Sequence, residues 1–411
     1  MQLKYYSFFI LLACTGNAFS SELEFSPARL LSSAADPASV GNSLPKIVRA
    51  SNGNLSVAWV RTAYLYTNGV LSNRTSQIVS RFSADGGTSW GSEKILGDIR
   101  HRNQSVDIAT SGSSEFVLAW SSGDVLSEGR LHLAKTSNLG ASFESETQVA
   151  PFQDNGIEIT HPQIAISGSS TILAKASRNL SGPVTGSLLS RLSWGANFTM
   201  RTMTPFVHDL ESDSQNNLVA IHSYPYSRVT YSTSYNGGLD WDFKGVFYNM
   251  YGGADFTIST NNRGTWIASA ASGVGGHTLF LLRCEAINPG LFSAPQALDC
   301  PVSSHSFSYN PTISGDQRGN WLAIVSANDY QNEGSLYYTV SMNDGLNWSP
   351  LAALPGSNSI HTKNVLPSLT TIGEGKWGLV WSTYANNTAS KIAYMEIGFP
   401  RTSARDWQLF E

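Results

Sequence analysis

Residues 83–90 read Ser83-Ala84-Asp85-Gly86-Gly87-Thr88-Ser89-Trp90, between a strand-like run and a short second strand. Asp85 can accept hydrogen bonds from the backbone N–H groups of its own turn. Gly86 and Gly87 can adopt the positive φ that a tight hairpin needs. Trp90 returns to the sheet with a large apolar side chain. The stretch therefore predicts a β-hairpin turn closed by an aromatic residue.

The same layout returns three more times along the chain. Its copies are residues 136–143, 234–241 and 341–348, each of which ends on Phe or Trp. The second and third gaps between the copies are each close to twice the first gap. Recurrence at a fixed interval predicts a repeat architecture, in which each repeat is one supersecondary unit.

The shared pattern, Ser/Thr-x-Asp/Asn-x-Gly-x-x-Trp/Phe, resembles the Asp box, or bacterial neuraminidase repeat. This motif marks β-propellers of the sialidase superfamily and several non-enzymatic relatives. The resemblance implies an all-β propeller in which the boxes are structural turns that lie away from the active site. The structural box residues would be Asp85, Trp90, Asn138, Phe143, Asn236, Trp241, Asn343 and Trp348.

Aligned strands give the number of repeats. Four inner strands carry Pro followed by x-Ile or x-Leu, beginning at Pro45, Pro162, Pro311 and Pro367. About ten residues later each repeat has a run of Val, Ile, Leu and Trp, which suits a strand buried on both faces. Seven repeats result, and we expect a seven-bladed β-propeller. Sialidase catalytic domains have six blades, so a six-bladed ring is the alternative.

The N-terminal region supplies a strand that closes the ring. Residues 25–30 resemble the segments that follow the aromatic residue of a box, which are outer strands. The seventh repeat ends near Ile397 without a clear outer strand of its own. We therefore expect residues 28–31 to pair with residues 392–396, which removes free sheet edges. The rival for that place is the tail, residues 404–409.

Residues 1–20 have the pattern of a secretion signal. Lys4 gives a positive start, residues 5–13 are apolar, and Ala18-Phe19-Ser20 is a small-x-small cleavage site. The apolar run is too short to span a bilayer. Residues 21–411 would then form one propeller domain, secreted or periplasmic. The alternative is a lipid anchor on Cys14.

Composition limits the partners. Charged residues make up 14% of the chain and the formal net charge is −4, which argues against nucleic acid and anionic membranes. No cofactor is expected, and the oligomeric state stays open. Two cysteines follow the signal, Cys284 and Cys300. In an oxidising compartment they are candidates for a disulfide, and two free thiols are the alternative.

Polar side chains gather in the loops that lead into the inner strands and in the loops that join second to third strands. We expect these loops to form the ring mouth, opposite the boxes, and to hold a glycan or small anionic ligand. Arg100, His101, Arg102 and His161 are the candidate ligand-binding residues, because two arginines with a histidine form a dense basic cluster. Five histidines lie in such loops without metal-ligand spacing, so no metal site is expected.

Hydrolysis of sialosides is not supported by the motifs. A sialidase-like site needs three arginines for the sugar carboxylate, a tyrosine activated by a glutamate, and an acid. The family's first arginine stands in Arg-Ile-Pro, whereas this chain has Leu44-Pro45-Lys46. Glu158 and Tyr309 are the catalytic candidates by residue type, without an assignable pairing. A sialidase-like propeller that binds carbohydrate or another ligand is the leading interpretation; an exo-alpha-sialidase and a protein-interaction scaffold are the alternatives.

Overall fold

The computed structural model describes most of the propeller region and leaves several loops outside. The described residues are 23–33, 40–67, 70–97, 103–112, 114–122, 130–147, 157–168, 170–179, 185–191, 194, 198–204, 206–223, 229–248, 256–271, 278–285, 291–301, 306–328, 334–357, 363–384 and 390–400. Residues 1–20, expected to be a signal sequence and containing Cys14, and the tail 404–409 lie outside them. Among the described residues, no helix has the length and apolarity needed to cross a membrane.

The described residues form antiparallel sheets in chain order. Sheet 1 is β3 (Val40–Arg49), β4 (Leu55–Thr67), β5 (Val70–Ser83) and β6 (Lys94–Leu96). Sheet 2 is β7 (Asn103–Ser111), β8 (Glu115–Ser122), β9 (Arg130–Thr136) and β10 (Glu144–Thr147). Sheet 3 is β11 (Ile157–Ser167), β12 (Ser170–Asn179), β13 (Thr185–Arg191) and β14 (Thr199–Thr204).

The remaining sheets repeat this order. Sheet 4 is β15 (Phe206–Ser212), β16 (Leu218–Ser223), β17 (Val229–Ser234) and β18 (Asp242–Tyr248). Sheet 5 is β19 (Phe256–Thr260), β20 (Trp266–Ala271), β21 (Thr278–Cys284) and β22 (Gln296–Asp299). Sheet 6 is β23 (Ser306–Gly315), β24 (Trp321–Asn328), β25 (Gly334–Ser341) and β26 (Ala352–Ala353). Sheet 7 is β27 (Lys363–Gly373), β28 (Lys376–Tyr384) and β29 (Lys391–Gly398), joined by β1 (Glu24–Phe25) and β2 (Arg29–Leu30).

The first strands of the sheets surround a common axis. Each first strand contacts the first strand of the next sheet, and β27 contacts β3, so the contacts return to their start. The structure is thus a closed β-propeller. Its seven sheets differ in number from the six blades of the sialidase catalytic domains named by the resemblance.

The predicted closure needs a correction in its detail. A single N-terminal strand was expected, whereas two short strands, β1 and β2, pair with β29 and make sheet 7 five-stranded. Arg29 pairs with Tyr394 and Leu30 with Ala393, while Phe25 pairs with Ile397. The strand breaks because Pro27, which has no N–H to donate, stands between the two halves.

The apolar core lies between neighbouring sheets. The second strands are buried on both faces; β20, for example, is buried at every position. One cluster joins sheets 7 and 1 through Trp59, Val57, Val380 and Tyr394, and equivalent clusters join the other neighbours. Each sheet therefore buries both faces only when it has a neighbour on either side.

The four repeated turns share one hydrogen-bond scheme. In the first, the Ser83 hydroxyl donates to Asp85 at 2.7 Å and accepts from the Gly87 N–H at 2.8 Å. The Asp85 carboxylate accepts from the Ser89 N–H at 2.8 Å. Asn138, Asn236 and Asn343 accept the equivalent backbone bond, each at 3.0 Å. A side-chain oxygen thus replaces the backbone partner that each turn lacks.

The closing aromatic residue of each turn is expected to be largely buried under its hairpin. Trp90, Phe143, Trp241 and Trp348 are partly buried. Trp90 packs edge-on against Tyr394 of sheet 7, with ring centroids 5.3 Å apart. The side chain therefore lies across the gap between two sheets, where one side stays open to solvent.

The cysteines do not form the disulfide considered above. Cys284 and Cys300 are both buried, and no disulfide joins them. Cys284 ends β21, while Cys300 follows Asp299, which pairs with Thr278 at the opposite end of the same strand. Cys284 packs in the cluster shared with sheet 4 and Cys300 in the cluster shared with sheet 6. Residues at opposite ends and on opposite faces of a sheet cannot approach to the distance a disulfide needs.

We predict that Gly87→Ala destabilises the protein more than Gly86→Ala. Both glycines have positive φ, +100° and +68°, so both substitutions carry backbone strain of about 1–2 kcal/mol. A Cβ on Gly87 would also meet the Tyr394 ring and hydroxyl, whereas a Cβ on Gly86 meets nothing within 4 Å. We expect a further loss of about 1–3 kcal/mol from overpacking.

Denaturant unfolding of the two variants measures this difference directly. Equal losses for Gly86→Ala and Gly87→Ala would show that the first turn does not press against sheet 7.

Candidate functional site

The ring has two different ends, because each strand reverses direction. One, the turn end, carries the four repeated turns and the connections between first and second strands. The other, the mouth, carries the loops into the first strands and those between second and third strands. Arg100, His101 and Arg102, which the sequence predicts at the mouth, lie outside the described residues.

Three further candidates lie on strands rather than in loops. Glu158 and His161 are part of β11, and Tyr309 is part of β23. The prediction of loops here was wrong, because the first strands extend several residues toward the mouth. Extended pairing of residues 157–160 with β12 explains the difference.

A layer of β-bulges crosses the first strands near the mouth. Pairing with the second strand shifts register in six of them, at Ser43/Lys46, Asn103/Ser105, Thr160/Gln163, Val207/Asp209, Ser308/Thr312 and Val365/Ser368. Proline accounts for four of the six, since Pro45, Pro162, Pro311 and Pro367 stand at the shift and cannot donate to the ladder. Bulges re-aim side chains and recur beside active sites.

Backbone strain accompanies two of the bulges. Leu44 and Leu366, each followed by proline, have φ of +53° and +57°. Such conformations are costly for a branched apolar residue and persist only when the surrounding structure enforces them. The surrounding structure therefore enforces these two bulges, which belong to the layer of bulges that recurs around the ring.

Just below the bulges, one position on every first strand forms a belt around the axis. Each belt residue pairs in register with the fourth or fifth residue of the second strand of its own sheet, and the set is Lys46, Asp107, Gln163, Asp209, Thr257, Thr312 and Ser368. All seven lie on the innermost strand of their sheet.

Belt side chains bind the backbone of the following sheet. Asp107 accepts from the Ile164 N–H at 2.8 Å, and Asp209 accepts from the Ile258 N–H at 2.8 Å. Thr312 accepts from the Leu369 N–H, and Ser368 from the Ile47 N–H, each at 3.2 Å. Inner strands have no neighbour on the axis side, so these bonds satisfy N–H groups that would otherwise lack a protein partner.

Carboxyl groups dominate one side of the belt. Asp107 lies 3.8 Å from Lys46, and burial raises its pKa. Glu211 follows Asp209 by two residues on β15, so both side chains lie on the same face. Burial, followed by the repulsion of Asp209, raises the pKa of Glu211 to about 8. At neutral pH Glu211 therefore holds its proton.

Gln163 stands on the strand between those that carry Asp107 and Asp209. Its side chain is buried, with 8% of its surface exposed. The amide oxygen Oε1 has no hydrogen-bond partner. A buried acceptor without a donor is costly and is uncommon in folded proteins.

His222 on β16 is fully buried in sheet 4. One ring nitrogen lies 2.7 Å from the Thr230 hydroxyl and the other 2.9 Å from the Ser232 hydroxyl. Thr230 also donates to the carbonyl oxygen of His222, so its hydroxyl is left to accept from Nδ1–H, and Nε2 accepts from Ser232. Burial lowers the pKa of His222 to about 4. The arrangement is a satisfied core histidine held neutral.

Two tyrosines mark the described part of the mouth, between sheets 7 and 1. Tyr384 ends β28 and Tyr64 lies on β4, and both are partly buried. Tyr384 bonds to Ser390, and burial raises its pKa. Lys363 lies 6.0 Å from the centre of the Tyr384 ring. Aromatic faces beside an ammonium suit a ligand with both apolar and anionic parts.

Metal chemistry gains no support from the described side chains. They contain no group of three His, Cys, Asp or Glu residues suited to a metal ion. Of the histidines considered for such a site, His208 packs edge-on against Phe256, with ring centroids 5.3 Å apart.

Comparisons with known proteins identify the fold alone. No family model matches the chain, and no curated protein matches it. Among solved structures, a protein of unknown function from Dyadobacter fermentans has a TM-score of 0.55 at 11% identity, covering 92% of this chain and 99% of that one.

Sialidases are also structural neighbours. The NanB sialidase of Streptococcus pneumoniae has a TM-score of 0.50 at 10% identity and covers 91% of this chain. The Hadza microbial sialidase Hz136 has a TM-score of 0.50 at 11% identity and covers 86% of it. This chain spans 70% and 65% of those two sialidases. The chain therefore has a sialidase-like propeller fold.

Sequence reasoning missed the belt and a second set of turns. Asp213, Asn261 and Asp316 cap the connections between first and second strands; each accepts two backbone N–H bonds, as Asp316 does from Arg318 and Asn320, both at 2.8 Å. Their recurring Asp/Asn followed four residues later by Asn or Thr was a readable signal. The belt had no such sequence signal, because its residues occupy equivalent positions on the first strands but differ in residue type.

We predict that replacing Glu211 flattens the fall in stability between pH 5 and pH 8. The folded protein holds a proton on Glu211 up to about pH 8, whereas an unfolded glutamate loses it near pH 4.3. The free energy of unfolding therefore falls as pH rises through this window and levels off above it. Urea unfolding at several pH values should show that fall reduced in Glu211→Gln. The surface variant Glu374→Gln is the control, and an equal fall in both variants contradicts the prediction.

His222 should act in the opposite direction. The folded protein protonates His222 only near pH 4, while an unfolded histidine binds a proton near pH 6.5. Stability is therefore lost as pH falls from about 6.5 to about 4. His222→Gln should remove this acid-side loss in the same unfolding series and leave the Glu211 effect unchanged. An acid-side loss that persists in His222→Gln would assign it to other groups.

Proposed function

We propose that the protein is exported and binds a glycan or another small anionic ligand at the ring mouth, without hydrolysing it. The observation that carries the proposal is the layer of bulges on six first strands. Bulges bend a strand and redirect its side chains, and here they lie around one axis, next to the mouth.

The residues at the bulges and the rim fit a polar ligand. His161, His208 and Tyr309 stand within register shifts of their strands. On the other side of the ring, Tyr384 and Lys363 offer an aromatic face and a cation. The predicted basic cluster of Arg100 and Arg102 belongs to the loop before β7. Together these supply stacking and charge-assisted bonds, the two contacts that hold acidic sugars.

Three of the described arginines have partners within the fold. Arg61 on β4 bonds to Glu93 at 2.7 Å. Arg29 donates to backbone carbonyls of the first turn, and Arg283 pairs with Asp344 at 3.2 Å. At the place of the family's first arginine, two residues before Pro45, the chain has Ser43. This difference from the family motif supports binding without hydrolysis.

The repeated turns serve stability in this proposal. The polar side chains of each turn form hydrogen bonds within that turn, as the Ser83 and Asp85 bonds illustrate. The turn end is therefore a scaffold, and the mouth carries the ligand.

We predict that replacing both Arg100 and Arg102 with alanine weakens glycan binding. Loss of a charge-assisted contact costs about 1.5–3 kcal/mol, which corresponds to about a 10- to 150-fold weaker affinity. A glycan array on the secreted protein identifies the ligand, and calorimetric titration of the best glycan measures the change. Asp85→Ala is the control, because it should lower stability and leave the affinity of folded protein intact.

Two results would contradict the proposal. Unchanged affinity in the arginine variant, with loss in the folded Asp85→Ala variant, would move the site to the turn end. Release of the fluorophore from a fluorogenic sialoside, in proportion to enzyme, would establish an exo-alpha-sialidase instead.

A further inference from the structure

We infer that the part of the mouth between sheets 7 and 1 is a subsite for a hexuronate, a sugar ring that carries a carboxylate in the plane of the ring. Lys363 binds the carboxylate, and Tyr64 and Tyr384 contact the sugar ring. The inference rests on the function proposed above, to which it adds the class of sugar and the residues that select it.

Lys363 and Tyr384 form the half of the subsite that belongs to sheet 7. They pair in register at the mouth end of β27 and β28, so both side chains lie on the same face of the sheet. Trp381, on the same regularly paired stretch of β28, packs in the cluster shared with sheet 6. Side chains alternate along a strand, and Tyr384 is an odd number of residues from Trp381. Tyr384 and Lys363 therefore lie on the face toward sheet 1.

Tyr64 supplies the other half of the subsite from sheet 1. A Cβ on Gly41 would lie 3.3 Å from the Ser390 hydroxyl and 3.5 Å from the Tyr64 ring, so Ser390 and the Tyr64 ring are both next to Gly41. Tyr384 bonds to the same Ser390. The two tyrosines, from neighbouring sheets, thus converge on one serine. Both are only partly buried, which leaves part of each side chain open to a ligand.

Two asparagines fix the strand ends around the subsite. Asn42 and Asn364 have no exposed surface. Each accepts from an indole N–H, of Trp59 at 2.8 Å and of Trp381 at 2.7 Å. The Asn42 side chain also donates to the Ser390 carbonyl oxygen at 3.0 Å. A site whose strands are fixed before the ligand arrives loses less conformational entropy on binding.

The ammonium group of Lys363 gives the subsite its charge. It lies 6.0 Å from the centre of the Tyr384 ring, and within the described part of the chain it forms no ion pair. Lys46, Lys135 and Lys244, by contrast, each pair with a carboxylate, at 3.8, 3.5 and 2.6 Å. A partly exposed ammonium without a carboxylate can form a charge-assisted bond with an anionic ligand.

A hexuronate matches both the rings and the charge. Its C–H face packs against an aromatic ring, and its hydroxyls exchange hydrogen bonds with phenolic hydroxyls. Its equatorial carboxylate extends past the edge of the ring and so reaches an ammonium beside the tyrosine. The carboxylate of an α-linked sialoside is axial, so it either blocks stacking or points away from Lys363. The subsite therefore favours a hexuronate over a sialoside.

The test is a ligand-observed NMR titration of the full chain with methyl β-glucuronide. Methyl β-glucoside has the ring without the charge and acetate has the charge without the ring, so both serve as controls at equal ionic strength. We expect methyl β-glucuronide to bind about tenfold more tightly than either control, with saturation transfer strongest at its ring C–H protons. Equal binding of either control, or tighter binding of sialyllactose, would overturn the inference.

Variants decide whether the sugar occupies this subsite. Lys363→Met should weaken binding of methyl β-glucuronide about tenfold, and Lys363→Arg, which keeps the charge, should retain it. Tyr384→Leu should reduce saturation transfer to the ring protons, whereas Tyr384→Phe should not. Lys376→Met, at the turn end of the same sheet, is the matched control and should bind as the unsubstituted protein does. Unfolding temperatures establish that each variant is folded.

The outcomes separate this inference from the function on which it rests. Equal binding of methyl β-glucuronide to Lys363→Met and to the unsubstituted protein would overturn the subsite. The proposed function would stand in that case if glycan binding still weakened in the variant that replaces Arg100 and Arg102. A protein that binds other glycans but not methyl β-glucuronide would likewise overturn the subsite alone. Absence of binding to any glycan or small anion would contradict both.

Discussion

Burial of both faces of every sheet is the constraint on which the rest of the structure depends. A sheet such as β19–β22 has apolar clusters on either side, one shared with sheet 4 and one with sheet 6. In a ring each sheet has two neighbours, so the constraint is met everywhere only if the ring closes. Closure rests on a few backbone bonds, among them Leu31 N–H to Ile392 at 2.8 Å and Ser26 N–H to Glu396 at 2.9 Å. Residues near the start of the described chain thus complete a sheet formed near its end.

At the turn end of the ring, the repeated turns allow neighbouring sheets to approach each other closely. Gly87 lies against Tyr394 of the preceding sheet, Gly140 against Phe82, and Gly345 against Ile267. The Asp or Asn of each turn fixes a backbone in which this glycine takes positive φ, and the absent Cβ lets two sheets approach. Asp344 adds direct bonds to the preceding sheet, from Asn261 at 2.9 Å and from Arg283 at 3.2 Å. The motif is therefore an interface element as well as a turn.

The sequence predicts the regular part of this fold and little of the site. The hairpin of residues 83–90 is readable because Asp, Gly and Trp each have a local reason to be there. The second strands are readable because Trp321 and its neighbours form uninterrupted apolar runs. The bulges at Leu44 and Leu366 cannot be read from the sequence. A proline predicts a missing hydrogen bond in the ladder, but it does not specify the register in which the strand resumes pairing. The belt depends on the register between neighbouring sheets, which brings Asp107 beside Ile164. Neither segment of sequence contains a pattern that predicts this contact. The exposed fraction of Trp90 is not readable for a related reason: it depends on how far the next sheet extends.

The pairing of β1 and β2 with β29 also sets the order in which the chain can fold. The hydrogen bond that the Ile392 N–H donates to the Ser32 hydroxyl joins residues 360 positions apart, whereas the hairpins within a sheet join residues a few positions apart. Loops of that length close late and slowly, because their entropy is lost before the contact is gained. Until β29 is available, the outward faces of sheets 1 and 6 have no sheet 7 to cover them. A chain made from its N-terminus therefore passes through this open state during every synthesis, with apolar sheet faces exposed that favour aggregation until the ring closes.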